Sequence, residues 1–225
     1  MTCGRKIGEF DCCSVVEGDA TLLLSSPPKP FFVLTDPPYG ISHPTNYHKR
    51  GRGKLAKCSD YPEVVGDNKP FDPAWLLSFN VPTVMWGANH FASRLPDSGG
   101  WIVWDKKRPP TLDQATCELA WTNFVKGVRI FHFLWNGMMR EGSPKEKLFH
   151  PTQKPIQLTE WILNLKWTPR ESLMLDPYCG AGSSLIAAKK LGRHFLGIDI
   201  CPEYCEIARQ RLSEIPWHPA IKVEP

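Results

Sequence analysis

The 225-residue sequence predicts an α/β fold: a doubly wound, mostly parallel sheet with helices on both faces. Three observations carry that prediction. Short runs that are apolar on both faces alternate with helix-period segments, as in a sheet covered on each side. The run "SLMLD" (172–176) leads through the glycine turn "PYCGAGSS" into a helical pattern. About twenty residues later "HFLGID" ends a further strand-like run on Asp199, the spacing at which doubly wound folds place a ribose-binding acid.

Taken in order, strands are expected at "CSVVEG" (13–18), "FFVLT" (31–35), "PTVMWG" (82–87), "WIVWD" (101–105), "VRIFHFLW" (128–135), 172–176 and 194–199. That makes a seven-stranded sheet. Helices are expected at 73–79, 88–95, 113–125, 153–166, 183–191 and 202–214. The last has the clearest signals: Pro202 at its first turn, Glu203 and Glu206 early, Arg209 and Arg211 late. Residues 41–72, 106–112 and 136–150 fit no element, and loops that long in a compact domain tend to be functional. Neither an internal repeat nor a long linker interrupts the chain, so 1–225 reads as one domain. The segment after 199 lacks a further strand, whereas 13–18 is spare at the other end. Strand 13–18 is therefore expected to dock beside 194–199.

Bulk composition narrows the classes. Hydrophobic residues make up 42% and charged residues 22%, with a net charge of +4, the profile of a globular protein that tolerates an acidic partner. No apolar run is long enough to cross a membrane, and "MTCGRKIGEFDCC" has no signal-peptide core. A cytoplasmic location is expected. The eight cysteines form no C-x-x-C pair, and read as reduced thiols packed as small hydrophobes.

Gly180 and Gly182 allow a tight turn and close approach of a ligand. Leu185 stands where the dinucleotide fingerprint has its third glycine, which favours an adenosine ligand without phosphates. Asp36, in "TDPPYG" (35–40), follows an apolar strand. Its carboxylate and the Pro37 carbonyl could together accept both N–H bonds of a nucleobase amino group, and so draw that nitrogen toward sp³ character. Proline fixes the carbonyl's direction, and Tyr39 offers a ring for stacking. On its own, the stretch also reads as a proline-rich turn with a solvated acid. Residues 150–155, "HPTQKP", precede a helix and then the glycine strand.

In combination, "DPPY", "HPTQKP", "DPYCGAGSS" and "GIDI" resemble the DNA amino-methyltransferases, in the circularly permuted order of their β group, with the cofactor half after the catalytic half. The resemblance covers about residues 13 to 214. It implies a Rossmann-like methyltransferase sheet, S-adenosylmethionine as cofactor, DNA as partner and activity at the nucleoid. It implies Asp36, Pro37, Pro38 and Tyr39 as the catalytic tetrapeptide. It implies Asp176, Pro177, Tyr178, Gly180, Gly182 and Ser183 as the cofactor loop and Asp199 as the ribose acid. By the same resemblance, His150, Thr152, Gln153 and Lys154 are expected to line the methionine end of the cofactor, and Asp19 to lie near its adenine. The family usually has Phe at 178 and Glu at 199, and Ala181 and Ser184 replace its usual Ser and Thr. No metal is implied. A homodimer and a cognate restriction enzyme are both compatible with such a chain.

The expected reaction is adenine-N6 methylation. Cytosine-N4 methylation uses the same chemistry, but those members more often carry Ser before "PPY". Cytosine-C5 methylation needs a cysteine nucleophile, usually after proline, and the chain has no Pro-Cys pair. A non-catalytic DNA-binding subunit would typically lose the acid or the glycines, and both are intact. Lys49, Arg50, Arg52 and Lys54 in "HKRGRGKLAK", and Lys106, Lys107 and Arg108 in "DKKRPP", are expected to meet DNA phosphates while the target base is flipped out. With room only in 41–72 and 106–150, the recognition sequence should be short or loose.

Overall fold

The computed structural model describes residues 6–7, 9–24, 31–43, 45, 61–109, 111, 114–136, 139–142 and 148–217. A small antiparallel pair, β1 (Lys6–Ile7) and β2 (Phe10–Asp11), leads into β3 (Ser14–Glu17) and α1 (Ala20–Leu23). Next come β4 (Phe31–Thr35), α2 (Ala74–Ser78), β5 (Thr83–Trp86), β6 (Gly100–Asp105), β7 (Cys117–Thr122) and β8 (Val128–His132). A second small pair, β9 (Trp135–Asn136) and β10 (Met139–Arg140), precedes α3 (Ile156–Leu163), β11 (Leu173–Asp176), α4 (Ser183–Lys190), β12 (Phe195–Asp199) and α5 (Pro202–Ser213).

The main sheet has eight strands in the order β3-β12-β11-β4-β5-β7-β6-β8. Only β7 runs antiparallel to its neighbours β5 and β6; the remaining pairings are parallel. The sheet separates two apolar layers by strand alternation. On β4, Phe32 and Leu34 face the layer that holds Leu158 and Ile162 of α3, Leu185 of α4 and Ala208 of α5. Phe31 and Val33 face the layer that holds Ala20 of α1 and Leu76 of α2. Burial on both faces is why these strands read as unbroken apolar runs.

The spare strand docks as expected. β3 pairs in parallel with β12, Val15 opposite Gly197 and Glu17 opposite Asp199, and forms one edge of the sheet. Two expected helices are corrected. Residues 113–125 contain β7, the eighth strand. Glu118, Leu119 and Ala120 are good helix formers, but Ala120, Trp121 and Thr122 are all buried between strands, and packing overrides propensity. Residues 88–95 form two single 3₁₀ turns, Ala88–His90 and Ala92–Arg94. The other helices stand within the expected ranges, shorter at their ends. Among the described residues, no helix is long and apolar enough to cross a membrane.

Candidate active site

The carboxyl ends of β4 and β11 are neighbours, because these strands pair in parallel, with Val33 opposite Leu175. From β11 the chain winds through α4 to β12 on one side; from β4 it winds through α2 to β5 on the other. Such a reversal opens a crevice beyond the strand ends. A cleft of about 940 Å³ lies there. It is lined by Asp19, Asp36, Pro37, Pro38, Tyr39, Lys106, His150, Thr152, Gln153, Lys154, Asp176, Pro177, Tyr178, Gly180, Ser183 and Asp199. Residues from six separate stretches of the sequence thus line one cleft. Gly182 is not among the lining residues.

The cofactor-loop side is built on backbone geometry. Gly180 and Gly182 adopt φ of +49° and +78°. At Gly182 a Cβ would lie 2.9 Å from the Ala208 Cβ, so this glycine serves the packing of α5 against the turn. Gly180 faces the His150 ring, where a Cβ would sit 3.5 Å from Cδ2. Asp199 pins the turn: its Oδ2 accepts from the Gly180 amide at 2.7 Å and its Oδ1 from the Cys201 amide at 2.9 Å. Burial raises its carboxyl above the usual range. Each oxygen keeps a second lone pair for a further donor.

Asp176 lies deeper. It accepts from the Thr35 hydroxyl at 2.8 Å, from the Tyr178 amide at 3.2 Å and from the Ser184 hydroxyl. Burial pushes it up to about 6 despite these bonds. The Thr35 bond ties the end of β4 directly to the end of β11. Tyr178 stands edge-on to Phe71, ring centroids 5.7 Å apart, and Asp19 caps α1 by accepting from the Thr21 amide at 2.8 Å. His150 rests on Tyr204, centroids 4.4 Å apart. Burial, then the nearby Lys154 charge, lower its imidazole to about 4, so it is neutral at neutral pH. Thr152 directs its amide and hydroxyl to His150 Nδ1, at 3.2 and 3.1 Å. Gln153 accepts from the Phe149 amide at 2.9 Å through its side chain, and Ser183 meets Arg211 at 3.4 Å.

On the opposite wall, Asp36 belongs to a chain of half-buried and buried charges. Its Oδ1 accepts from the Tyr39 hydroxyl at 2.5 Å, and its Oδ2 is paired with the Lys154 ammonium. Lys154 also donates to the Tyr39 hydroxyl at 3.0 Å and pairs with Glu118 Oε2 at 3.1 Å. The other Glu118 oxygen is paired with Lys106. Two ammoniums and two carboxylates thus alternate, and their formal charges cancel. Burial acts to raise Glu118, but Lys154 and Lys106 outweigh it and hold the carboxyl at about 2. Burial likewise opposes the Lys154 charge, and Asp36 and Glu118 overcome it, raising that ammonium. Asp36 moves the other way: burial raises it, and Lys154 offsets this only in part. Burial and the neighbouring Asp36 raise Tyr39 well above the usual phenol range, so its hydroxyl keeps its proton.

The Tyr39 ring stacks on His90, centroids 4.9 Å apart and planes 15° from parallel. It also lies flat against the backbone of Gly87, where any Cβ would fall within the ring. The loop that carries Tyr39 is anchored by buried Asp67, which accepts from the amides of Gly40, Ile41 and His43 at 2.8, 3.3 and 2.6 Å.

Glu118, Asp67, His90 and Gly87 were not legible as site residues. Glu118 was hidden because its strand was read as a helix. Asp67 sits in a stretch without periodicity. The signal for Gly87 and His90 was present in "WGANH", a glycine at a strand end, but nothing local pairs it with Tyr39.

The expected phosphate contacts divide. Lys49, Arg50, Arg52 and Lys54 lie outside the described residues. Lys106 is buried and turned inward onto Glu118, with its ammonium over the Trp104 ring at 4.9 Å, which leaves no ammonium at the surface for a phosphate. Lys107 is exposed and pairs with Glu141 at 2.7 Å. Arg108 donates to the carbonyls of Ala115 and Trp135, both at 3.2 Å.

Comparison with known proteins gives consistent findings. The model of the N6_N4_Mtase family, described as DNA methylase, matches residues 98–210. The stretch around Asp36 precedes that match. The chain is similar to the type II methyltransferase M2.LlaDCHI of Lactococcus lactis subsp. cremoris, 42% identical over 81 residues, 36% of this chain and 30% of that protein. It is also similar to the type II methyltransferase M2.DpnII of Streptococcus pneumoniae, 44% identical over 80 residues, again 36% and 30%. The matched stretch thus spans under a third of either relative's length. In fold it is similar to the M1.HpyAVI–SAM complex, with a TM-score of 0.50, 21% identity, and coverage of 88% of this chain and 98% of that one.

Proposed function

The chain belongs to the N6/N4 DNA methylase family, and from that premise we propose that it transfers a methyl group from S-adenosylmethionine to the N6 amino group of an adenine in DNA. One observation carries the reading. The end of β4 that presents Asp36 and the glycine turn after β11 open into one cleft, joined by the Thr35–Asp176 hydrogen bond.

The donor set fits an adenosine-bearing cation without phosphates. Asp199 and Asp19 offer acceptors for hydroxyl and amino hydrogens, and Tyr178, Phe71 and Ile200 offer apolar surface. Lys106 and Lys154 on the opposite wall are already engaged by acids. When bound, S-adenosylmethionine supplies an electrophilic methyl group on a sulfonium sulfur.

The residues of the chain then have separate tasks. Asp36 and the Pro37 carbonyl accept the two N–H bonds of the target amino group, which localises the nitrogen lone pair. Asp36 already holds one donor on each oxygen, and each oxygen keeps a second lone pair for the amino group. If the amino group takes the place of the Tyr39 hydroxyl instead, the Asp36–Lys154 ion pair survives the exchange. Burial raises the Asp36 carboxyl, which suits it to take the proton that the amino nitrogen sheds. Lys154 and Glu118 hold Asp36 in place from behind. Tyr39, backed by His90, offers a stacking face. Most of the rate enhancement would come from positioning and preorganised polar groups. Lys107, at the exposed surface, and the basic run 48–57 remain the proposed phosphate contacts.

The test is incubation of the full chain with isotopically labelled cofactor and DNA of mixed sequence, followed by nucleoside mass spectrometry. Labelled N6-methyladenine is expected. Labelled N4-methylcytosine would overturn the base assignment, and an unlabelled digest the enzymatic reading.

A further inference from the structure

At the amino ends of β3 and β12, away from the cleft, a thiol pair meets an imidazole. Cys12 Sγ lies 3.0 Å from His194 Nδ1 and 3.5 Å from Cys13 Sγ. All three donor atoms fall within 4.8 Å of one another, the one such His/Cys/Asp/Glu group among the described residues.

Adjacent side chains on an extended strand point to opposite faces, so neighbouring cysteines do not ordinarily share a site. Here the backbone turns. Cys13 adopts φ of +62°, a left-handed conformation uncommon for a residue with a Cβ. The turn brings both sulfurs to one side. The Cys13 amide donates to the Phe195 carbonyl at 2.8 Å, which bolts the turn beside His194. Cys12 is buried, while Cys13 and His194 are partly accessible, so the group has a protected floor and an entrance.

The two separations from Cys12 are close to those around one ion, and the third pair lies within 4.8 Å. Zinc–sulfur and zinc–nitrogen bonds of about 2.3 and 2.0–2.1 Å in tetrahedral geometry place two sulfurs about 3.8 Å apart and sulfur from nitrogen about 3.5 Å. The observed 3.5 and 3.0 Å need shifts of only a few tenths of an ångström. Two thiolates and an imidazole select a soft or borderline metal over magnesium or calcium.

We propose that Cys12, Cys13 and His194 form a zinc(II) site that clamps the edge strand β3 onto β12. His194 immediately precedes β12, which Asp199 ends, so the site lies a full strand length from the cleft, roughly 17 Å. Its role is structural. It joins residues 182 positions apart where the edge strand enters the sheet, with a fourth position for water or a further donor. Binding deprotonates both thiols, and the two protons leave to solvent; no redox step is involved.

The experiment uses the full chain, stripped by a chelator under reducing conditions and then titrated with zinc(II) alone. Elemental analysis after gel filtration should find one zinc per chain. The melting temperature should rise on the order of 5–10 °C at a hundredfold excess over Kd. Cobalt(II) in place of zinc should show thiolate charge-transfer absorption. Cys13→Ser and His194→Asn should each weaken zinc by more than the roughly 10–100-fold that loss of a supporting group costs, while Cys117→Ser should not. A readout on the parent chain guards against misfolded variants: zinc should protect the Cys12–Cys13 peptide from alkylation and leave Cys117 reactive. Zinc retained by both ligand variants, no stoichiometric zinc on the parent chain, or no protection of that peptide would each overturn the proposal.

Discussion

Replacement of Glu118 by Gln removes one anion from the charge chain and leaves its two ammoniums behind. The magnitude follows from the structure. The Glu118 carboxyl is held at about 2, against an ordinary value of 4.5, by Lys154 and Lys106 acting against burial. Because the folded value lies below the ordinary one, the ionised carboxylate contributes to folding stability at neutral pH. The range for loss of one partner from a buried pair is about 3–5 kcal/mol. The low end applies here, because Lys154 keeps Asp36. Since the folded value lies below the unfolded one, this stability is complete above about pH 4.5 and drains away as pH falls toward 2. The cost of Glu118→Gln should therefore be about 3 kcal/mol at pH 7 and shrink steadily between pH 4.5 and 2.

The assay is urea unfolding of parent and variant across that range, with the difference in stability plotted against pH. A thermal scan at pH 7 should show a fall on the order of 6–12 °C for a domain of this size. A second readout concerns Asp36 in its proposed catalytic role. Glu118 contributes to raising Asp36, so its loss should move the acid limb of the methylation rate to lower pH. A difference within about 0.5 kcal/mol at pH 7, or one that stays constant as pH falls, would refute the alternating-charge account of this wall.

Three further outcomes follow from the same geometry. Asp36→Ala should lower kcat on the order of 10²–10³-fold with the cofactor Kd unchanged, which single-turnover kinetics and calorimetry would check together. Asp199→Ala should weaken the cofactor by about 1.5–3 kcal/mol, and saturating cofactor should recover much of the turnover; an unchanged Kd would assign Asp199 to the Gly180 and Cys201 amides alone. Gly87→Ala should displace the Tyr39 ring, since a Cβ cannot coexist with it and φ is +69°. The expected result is a loss of about 1–3 kcal/mol in stability and a clear fall in kcat, and parent-like turnover would show that Tyr39 works from another position.

What could be read from the chain depended on whether the deciding contact is local. The strand-to-turn junctions at Asp36, Asp176 and Asp199 were legible because an apolar run, an acid and a glycine or proline turn lie within a few residues of one another. Glu118 was not, because its six-residue strand buries three consecutive residues and so has no alternation. The inward turn of Lys106 was invisible for the same reason: its partner lies twelve residues away on that misread strand. Cys12 and Cys13 read as packed thiols because His194 is remote in sequence and the positive φ at Cys13 has no signature in residue type.

The permuted order of the motifs costs the site nothing, and the sheet explains why. Strand β11 enters late in the chain yet pairs with β4, which entered early. Parallel pairing brings both carboxyl ends to the same rim whatever their order in the sequence. The Thr35–Asp176 hydrogen bond then sets the separation between the two half-sites. The consequence of permutation appears elsewhere, at the edge. There β3 must be supplied from the opposite end of the chain, and it is held by one strand neighbour, by α5 and by contacts such as Arg209 donating to the Val15 carbonyl at 3.2 Å. A strand so placed is the part of the sheet with most to gain from a further clamp, and the thiol–imidazole group sits where β3 begins.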